Sequence, residues 1–87
     1  MLKIQRAVEG SSVIFMLSGR IKSEDIPQLQ RLFAAEIGMN IVVDLQDVEL
    51  IDREGVRFLA REEAHGITLT NCPSYVREWM GTEGTQT

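Results

Sequence analysis

The stretch from Ile41 to Leu59 constrains the fold more than any other part of the sequence. Ile41-Val42-Val43-Asp44-Leu45 is apolar on both alternations, which predicts a central strand covered by helices on its two faces. Asp47, Glu49 and Asp52 then mark a surface connection, and Asp52 is placed to accept hydrogen bonds from the unpaired N–H groups of a helix starting at Arg53. That helix is predicted to run to about residue 65, where Gly66 ends it. What this helix start presents to solvent is the functional question.

The elements around this stretch follow from simple periodicities. Leu2 to Val8 alternates, with Leu2, Ile4 and Val8 on one face, and Glu9-Gly10 is a tight turn into the apolar run Ser12–Leu17. This predicts a hairpin whose second strand is ended by Gly19. Ser23 to Ile37 reads as a helix with Ser23 as N-cap, Pro27 in its first turn and an apolar stripe of Ile26, Leu29, Leu32, Phe33 and Ile37; Gly38 stops it. Ile67 to Cys72 alternates as a strand at the sheet margin. After Pro73 comes a short helix from Ser74 to about Met80, with Tyr75, Val76, Trp79 and Met80 available for burial. The order β-β-α-β-α-β-α predicts a single α/β domain over residues 1–80: a four-stranded mixed sheet with three helices, parallel across the crossovers and antiparallel at the hairpin. Residues 81–87 are a polar tail expected to be flexible.

Composition narrows the function. A net charge of −4 over 87 residues, from 13 acids and 9 bases, argues against a nucleic-acid binder, which needs a phosphate-neutralising surface. No apolar run approaches the roughly 20 residues that span a bilayer, and Met1–Val8 does not form a signal-peptide core. The single Cys72 excludes an internal disulfide. These features lead us to expect a cytoplasmic protein without membrane insertion.

No catalytic constellation stands out. The glycines Gly10, Gly19 and Gly38 are isolated, so there is no phosphate loop. His65 has no second metal ligand or nucleophile near it in sequence, and Cys72 reads as a structural thiol. Asp44, Asp47, Glu49 and Asp52 lack the spacing of a calcium loop. We therefore expect no cofactor, no metal and no enzymatic activity.

Arg53, Arg57 and Arg61 recur at four-residue spacing on the second helix. Arg53 sits in the first turn, where a cation opposes the helix dipole by about 0.3–1 kcal/mol. Either it pairs with Asp52, Glu54 or Glu49 on the wet surface, or it is offered to a partner. Projected at about 100° per residue, Val56, Leu59 and Ala60 cluster on the core side, and Phe58 falls opposite among Glu54, Arg61, Glu62 and His65. An exposed Phe flanked by arginines has the composition enriched at binding hot spots.

The pieces Leu17-Ser18-Gly19-Arg20-Ile21, Ile41–Leu45, Val48–Val56 with Leu59, and Leu69-Thr70-Asn71-Cys72-Pro73 together resemble the STAS domain, the fold of bacterial anti-sigma factor antagonists and of domains in sulfate transporters. The resemblance covers about residues 2–80. It implies a protein-binding signalling module in transcription regulation, docking through Gly19, Arg20 and Lys22 and through Asp52, Arg53, Glu54, Arg57, Phe58 and Arg61. It also implies an anti-sigma factor kinase or related regulator as partner.

Two departures bear on the switch. Such antagonists carry a phosphorylated Ser or Thr directly after the Asp of Asp-x-x-Gly, where this chain has Arg53. They also commonly carry an Asp where Lys22 stands. Fixed positive charge replaces the site at which phosphorylation would add roughly −1.5 to −2. The expected regulator is therefore one without phosphorylation at this position. The alternative is a structural or homodimeric subunit of a larger assembly such as a transporter complex. Family members commonly continue through a further strand and helix, so one sheet edge is expected to be open or covered by a second copy.

Overall fold

In the computed structural model, residues 2–84 are described, with side chains as far as Trp79. The alternating first segment pairs as expected: β1 (Leu2–Glu9) and β2 (Ser12–Ile21) form an antiparallel hairpin from Leu2↔Gly19 to Glu9↔Ser12. Gly10, at φ +60, takes the left-handed turn position that disfavours a side chain. Next come α1 (Ile26–Ala34), β3 (Asn40–Ile51), α2 (Arg53–Ala64), β4 (Thr68–Thr70) and α3 (Ser74–Gly84). The sheet order is β1-β2-β3-β4, with β3 parallel to both β2 and β4. The four-stranded mixed sheet, three helices and element order are those read from the sequence.

Helices cover one face only. Val13, Phe15 and Leu17 of β2, Val43 and Leu45 of β3 and Leu69 of β4 bury against Leu29 and Phe33 of α1, Val56, Phe58 and Leu59 of α2 and Val76 of α3. The opposite row, Ala7↔Ile14↔Val42, stays partly exposed and lies outside that cluster. The expectation of two covered faces is thus corrected. The second apolar alternation is half-buried by its own cross-strand neighbours, which suffices for short side chains on a pleated surface.

Both central strands run further than expected. β2 continues through Gly19 and β3 through the acidic stretch, because register shifts at Met16/Ser18 and Gly19/Arg20 absorb extra residues without ending the ladder. Val48 and Ile51 remain buried while Asp47, Glu49 and Leu50 face solvent. The predicted surface connection is therefore bulged strand.

The first helix is shorter and begins differently. Residues Ser23–Asp25 form a 3₁₀ turn before α1, and the Ser23 hydroxyl makes no capping bond; the Asp25 carboxylate instead accepts from the Lys22 N–H at 3.0 Å. At the other end, Glu36 N–H bonds to Phe33 O at 3.2 Å, tightening the last turn. Ile37 consequently leaves the predicted stripe and is 90% exposed, as Val8 is at 52%. The Glu36 side chain returns to β1, where Arg6 donates through Nε at 2.8 Å and Nη2 at 3.0 Å. At the C-terminal end α3 extends to Gly84, beyond the predicted Met80. Of the tail expected to be flexible, residues 81–84 belong to this helix; residues 85–87, like the Met80 side chain, lie outside the described residues.

Candidate functional site

The start of α2 is built on Asp52, whose carboxylate serves two chain segments. Its Oδ1 accepts from the Gly55 N–H at 2.8 Å, the predicted helix cap. Its Oδ2 accepts from the Ser23 N–H at 2.9 Å, 29 residues earlier in the chain. The Asp52 N–H also donates to Ile21 O at 3.0 Å. One carboxylate thus joins the exit of β2 to the first turn of α2. No sequence signal pointed to the second of these bonds, since Ser23 read as a cap in its own right.

Gly55 explains how close the two segments come. A Cβ added there would lie 2.8 Å from Ile51 Cγ2, 3.2 Å from Ile21 Cγ2 and 3.3 Å from Asp52 Oδ1. Its spacing after Asp52 is therefore a packing requirement: α2 can settle on the ends of β2 and β3 only without a side chain at this position. Gly19, at φ +92, supplies the left-handed residue next to the bulge that brings Arg20 opposite Leu50 and Ile21 opposite Ile51.

Around this joint, Arg20, Lys22, Arg53, Glu54, Arg57 and Arg61 are all exposed. Five of these six are cations, gathered at the positive end of the α2 dipole on a chain of net charge −4, with Glu24 and Asp25 lining the concavity beside Arg20 and Lys22. Arg57 Nη1 lies 3.5 Å from Glu54 Oε1. With both partners exposed, this pair adds little to stability. The two predicted segments, Gly19–Lys22 and Asp52–Arg61, are brought together at one end of the sheet.

Phe58 does not belong to this surface. It is 1% exposed and stacks on Phe33 at 5.9 Å between centroids and 10° between planes; Phe33 in turn meets Phe15 at 5.4 Å. The reason lies in Gly55. Because Gly55 is itself buried, the buried arc of α2 runs through Gly55, Val56, Phe58 and Leu59 and spans about 160° at about 100° per residue, wider than the Val56–Leu59–Ala60 sector. Phe58 forms one margin of that arc and reaches α1.

The remaining chemistry-bearing residues do not gather. His65 is the C-cap of α2, its side chain 71% exposed, with Nδ1 3.9 Å from Glu62 Oε2. Burial, more than the opposing effect of Arg77, raises the pKa of the Cys72 thiol above its ordinary value. Asp44 Oδ1 is occupied by Gln46 N–H at 2.9 Å and Asn71 Nδ2 at 3.0 Å. Among the described residues no three His, Cys, Asp or Glu side chains form a metal set, and no helix is long and apolar enough to cross a membrane.

The arrangement defines a two-layer α/β domain with a cationic surface where β2, β3 and α2 meet. No protein-family model matches the sequence, and no curated protein does. Solved structures do match, and the fold they define is SpoIIAA-like, that is, STAS-like. The anti-sigma factor antagonist SpoIIAA in its unphosphorylated form is similar with a TM-score of 0.71 at 19% identity, over 94% of this chain and 81% of that one. An uncharacterised protein of the DUF3478 family from Shewanella loihica PV-4, described as having a SpoIIAA-like fold, gives 0.55 at 14% identity over 74% of this chain. The crystal structure of Mglu gives 0.57 at 28% identity over 75% of this chain. This chain spans 57% and 18% of the length of those last two proteins.

Proposed function

We propose that this chain is a non-enzymatic protein-docking module of the anti-sigma factor antagonist type, acting in bacterial cytoplasmic signalling without phosphorylation at the start of α2. The observation that carries this reading is the double use of Asp52, which holds the Lys22 turn and the α2 start as one surface. Arg20, Lys22, Arg53, Arg57 and Arg61 supply its cations, with Glu54 exposed among them and Glu24 and Asp25 beside Lys22. Its partner is an anti-sigma factor kinase or a related regulator offering carboxylates to these cations. Arg53 has no hydroxyl to receive a phosphoryl group, so the positive surface is permanent and docking is constitutive or controlled elsewhere.

Affinity capture from the native cytoplasm tests this with the wild-type chain, Lys22→Glu and Arg53→Glu. A kinase-like regulator should be retained by the wild type and lost with either reversal, while circular dichroism shows all three folded. Retention of the same partner by both reversed chains would remove the docking face from this surface.

A further inference from the structure

The outer edge of β3 is only partly paired. β3 spans Asn40–Ile51, but β4 pairs with Val42, Val43 and Asp44 alone. The ladder stops there for a local reason. Asp44 Oδ1 takes both the Gln46 N–H and the Asn71 side-chain amide, and Asn71, at φ +54, turns the chain off the sheet. From Asp47 to Leu50 the side of β3 away from β2 therefore has no neighbouring strand among the described residues, a length of about 13 Å at about 3.3 Å per residue. At the far end the Tyr75 hydroxyl accepts the Ile51 N–H at 3.2 Å, in the place where the carbonyl of an adjoining strand would stand. An unpaired edge of this length is a template for an added strand.

The side chains along the edge say what kind of strand fits. Asp47 and Glu49 are exposed on it, and Leu50 is 47% exposed beyond them. Trp79, 45% exposed, lies against Tyr75 at 6.0 Å between ring centroids, which puts an aromatic surface near the same end. A second copy pairing through this edge would set Asp47 and Glu49 against their own equivalents, and like charges across a strand pair are unfavourable.

We propose that the β3 edge from Asp47 to Leu50 receives an extended segment of a partner protein, carrying Lys or Arg toward Asp47 and Glu49 and an apolar residue toward Leu50. Strand hydrogen bonds supply the attachment and the carboxylates select its charge. This edge borders the cationic face, Leu50 lying opposite Arg20 across the β2–β3 ladder, but it is the other side of β3, and the proposal does not rest on docking at the start of α2.

The probe is an acetylated, amidated eight-residue peptide alternating Val and Lys, titrated into the ¹⁵N-labelled full chain. Saturable binding is expected, with amide shifts and slowed exchange centred on residues 47–50. The same peptide N-methylated at alternate residues, and the Asp47→Lys/Glu49→Lys chain with the original peptide, should each bind at least tenfold more weakly. The proposal is overturned by no saturable binding below millimolar peptide or by equal binding of the N-methylated peptide. It is equally overturned by undiminished binding to the folded double variant, or by shifts centred on residues 53–61.

Discussion

Replacing Asp52 by Ala removes two hydrogen bonds at once, and the structure gives each a separate weight. The bond to the Gly55 N–H, 2.8 Å and partly buried, is a helix cap worth about 1 kcal/mol. The bond to the Ser23 N–H, 2.9 Å and exposed, loses a charge-assisted acceptor that water can partly replace, about 0.5–1 kcal/mol. Asp52→Ala should therefore cost about 1.5–2 kcal/mol, lowering the melting temperature by roughly 10 °C in a domain of this size. Asp52→Asn keeps one acceptor oxygen and turns the other position into a donor, so it should lose about half as much. Urea unfolding with Asp47→Ala as an exposed-carboxylate control measures this, and the control should stay within about 0.5 kcal/mol of wild type. Amide spectra of Asp52→Ala should show changes at Lys22 and Ser23 as well as in α2. If the loss falls below about 0.5 kcal/mol and the Ser23 amide does not move, Asp52 is not the joint between the two segments.

Other positions report on the core and its margins. Phe58→Ala should destabilise by about 3–5 kcal/mol, measured by denaturant unfolding; a change within about 0.5 kcal/mol would return Phe58 to the surface. Gly55→Ala should also destabilise, by about 1–3 kcal/mol, despite alanine's better helix propensity, because its methyl would meet Ile51 Cγ2 at 2.8 Å; a more stable variant would contradict that contact. Cys72 should alkylate more slowly than an unstructured cysteine near neutral pH and gain on it as pH rises, since burial raises its pKa; equal rates throughout would contradict that burial. The Arg6 hydrogen bond holds the Glu36 carboxyl below its ordinary pKa. Its stabilisation is thus present above the unfolded-state value and lost as pH falls through the lower folded-state value. Glu36→Gln should remove that part of the acid-unfolding profile, and an unchanged profile would contradict the pairing.

Where sequence patterns are local, they were enough. Gly10 marks the hairpin, the Asp52 carboxylate caps α2, and alternation against helical spacing orders the seven main elements. What escaped them depends on contacts between segments distant in the chain. The acidic run Gln46–Leu50 reads as a connection because bulges break the two-residue period, yet pairing with β2 keeps it in the sheet. Ile14 and Val42 imply a second covered face only if helices are taken as the sole source of burial, whereas neighbouring strands provide part of it. The Phe58 side chain was misplaced because the helical projection left out Gly55, a buried contact that widens the core-facing arc of α2. The exposed residues of the cationic surface were legible one by one. Their assembly by the second oxygen of Asp52 was not, because nothing in the sequence says which distant amide that oxygen will meet.

The claim that this assembled surface docks a protein is tested most directly by photo-crosslinking in the native cell. A benzophenone-bearing residue is placed at position 54, beside Arg53 and Arg57, or at position 5, on the opposite, helix-free face of the sheet. A discrete adduct with a kinase-like regulator is expected from position 54 and none from position 5. The same adduct from position 5, with none from position 54, would contradict it.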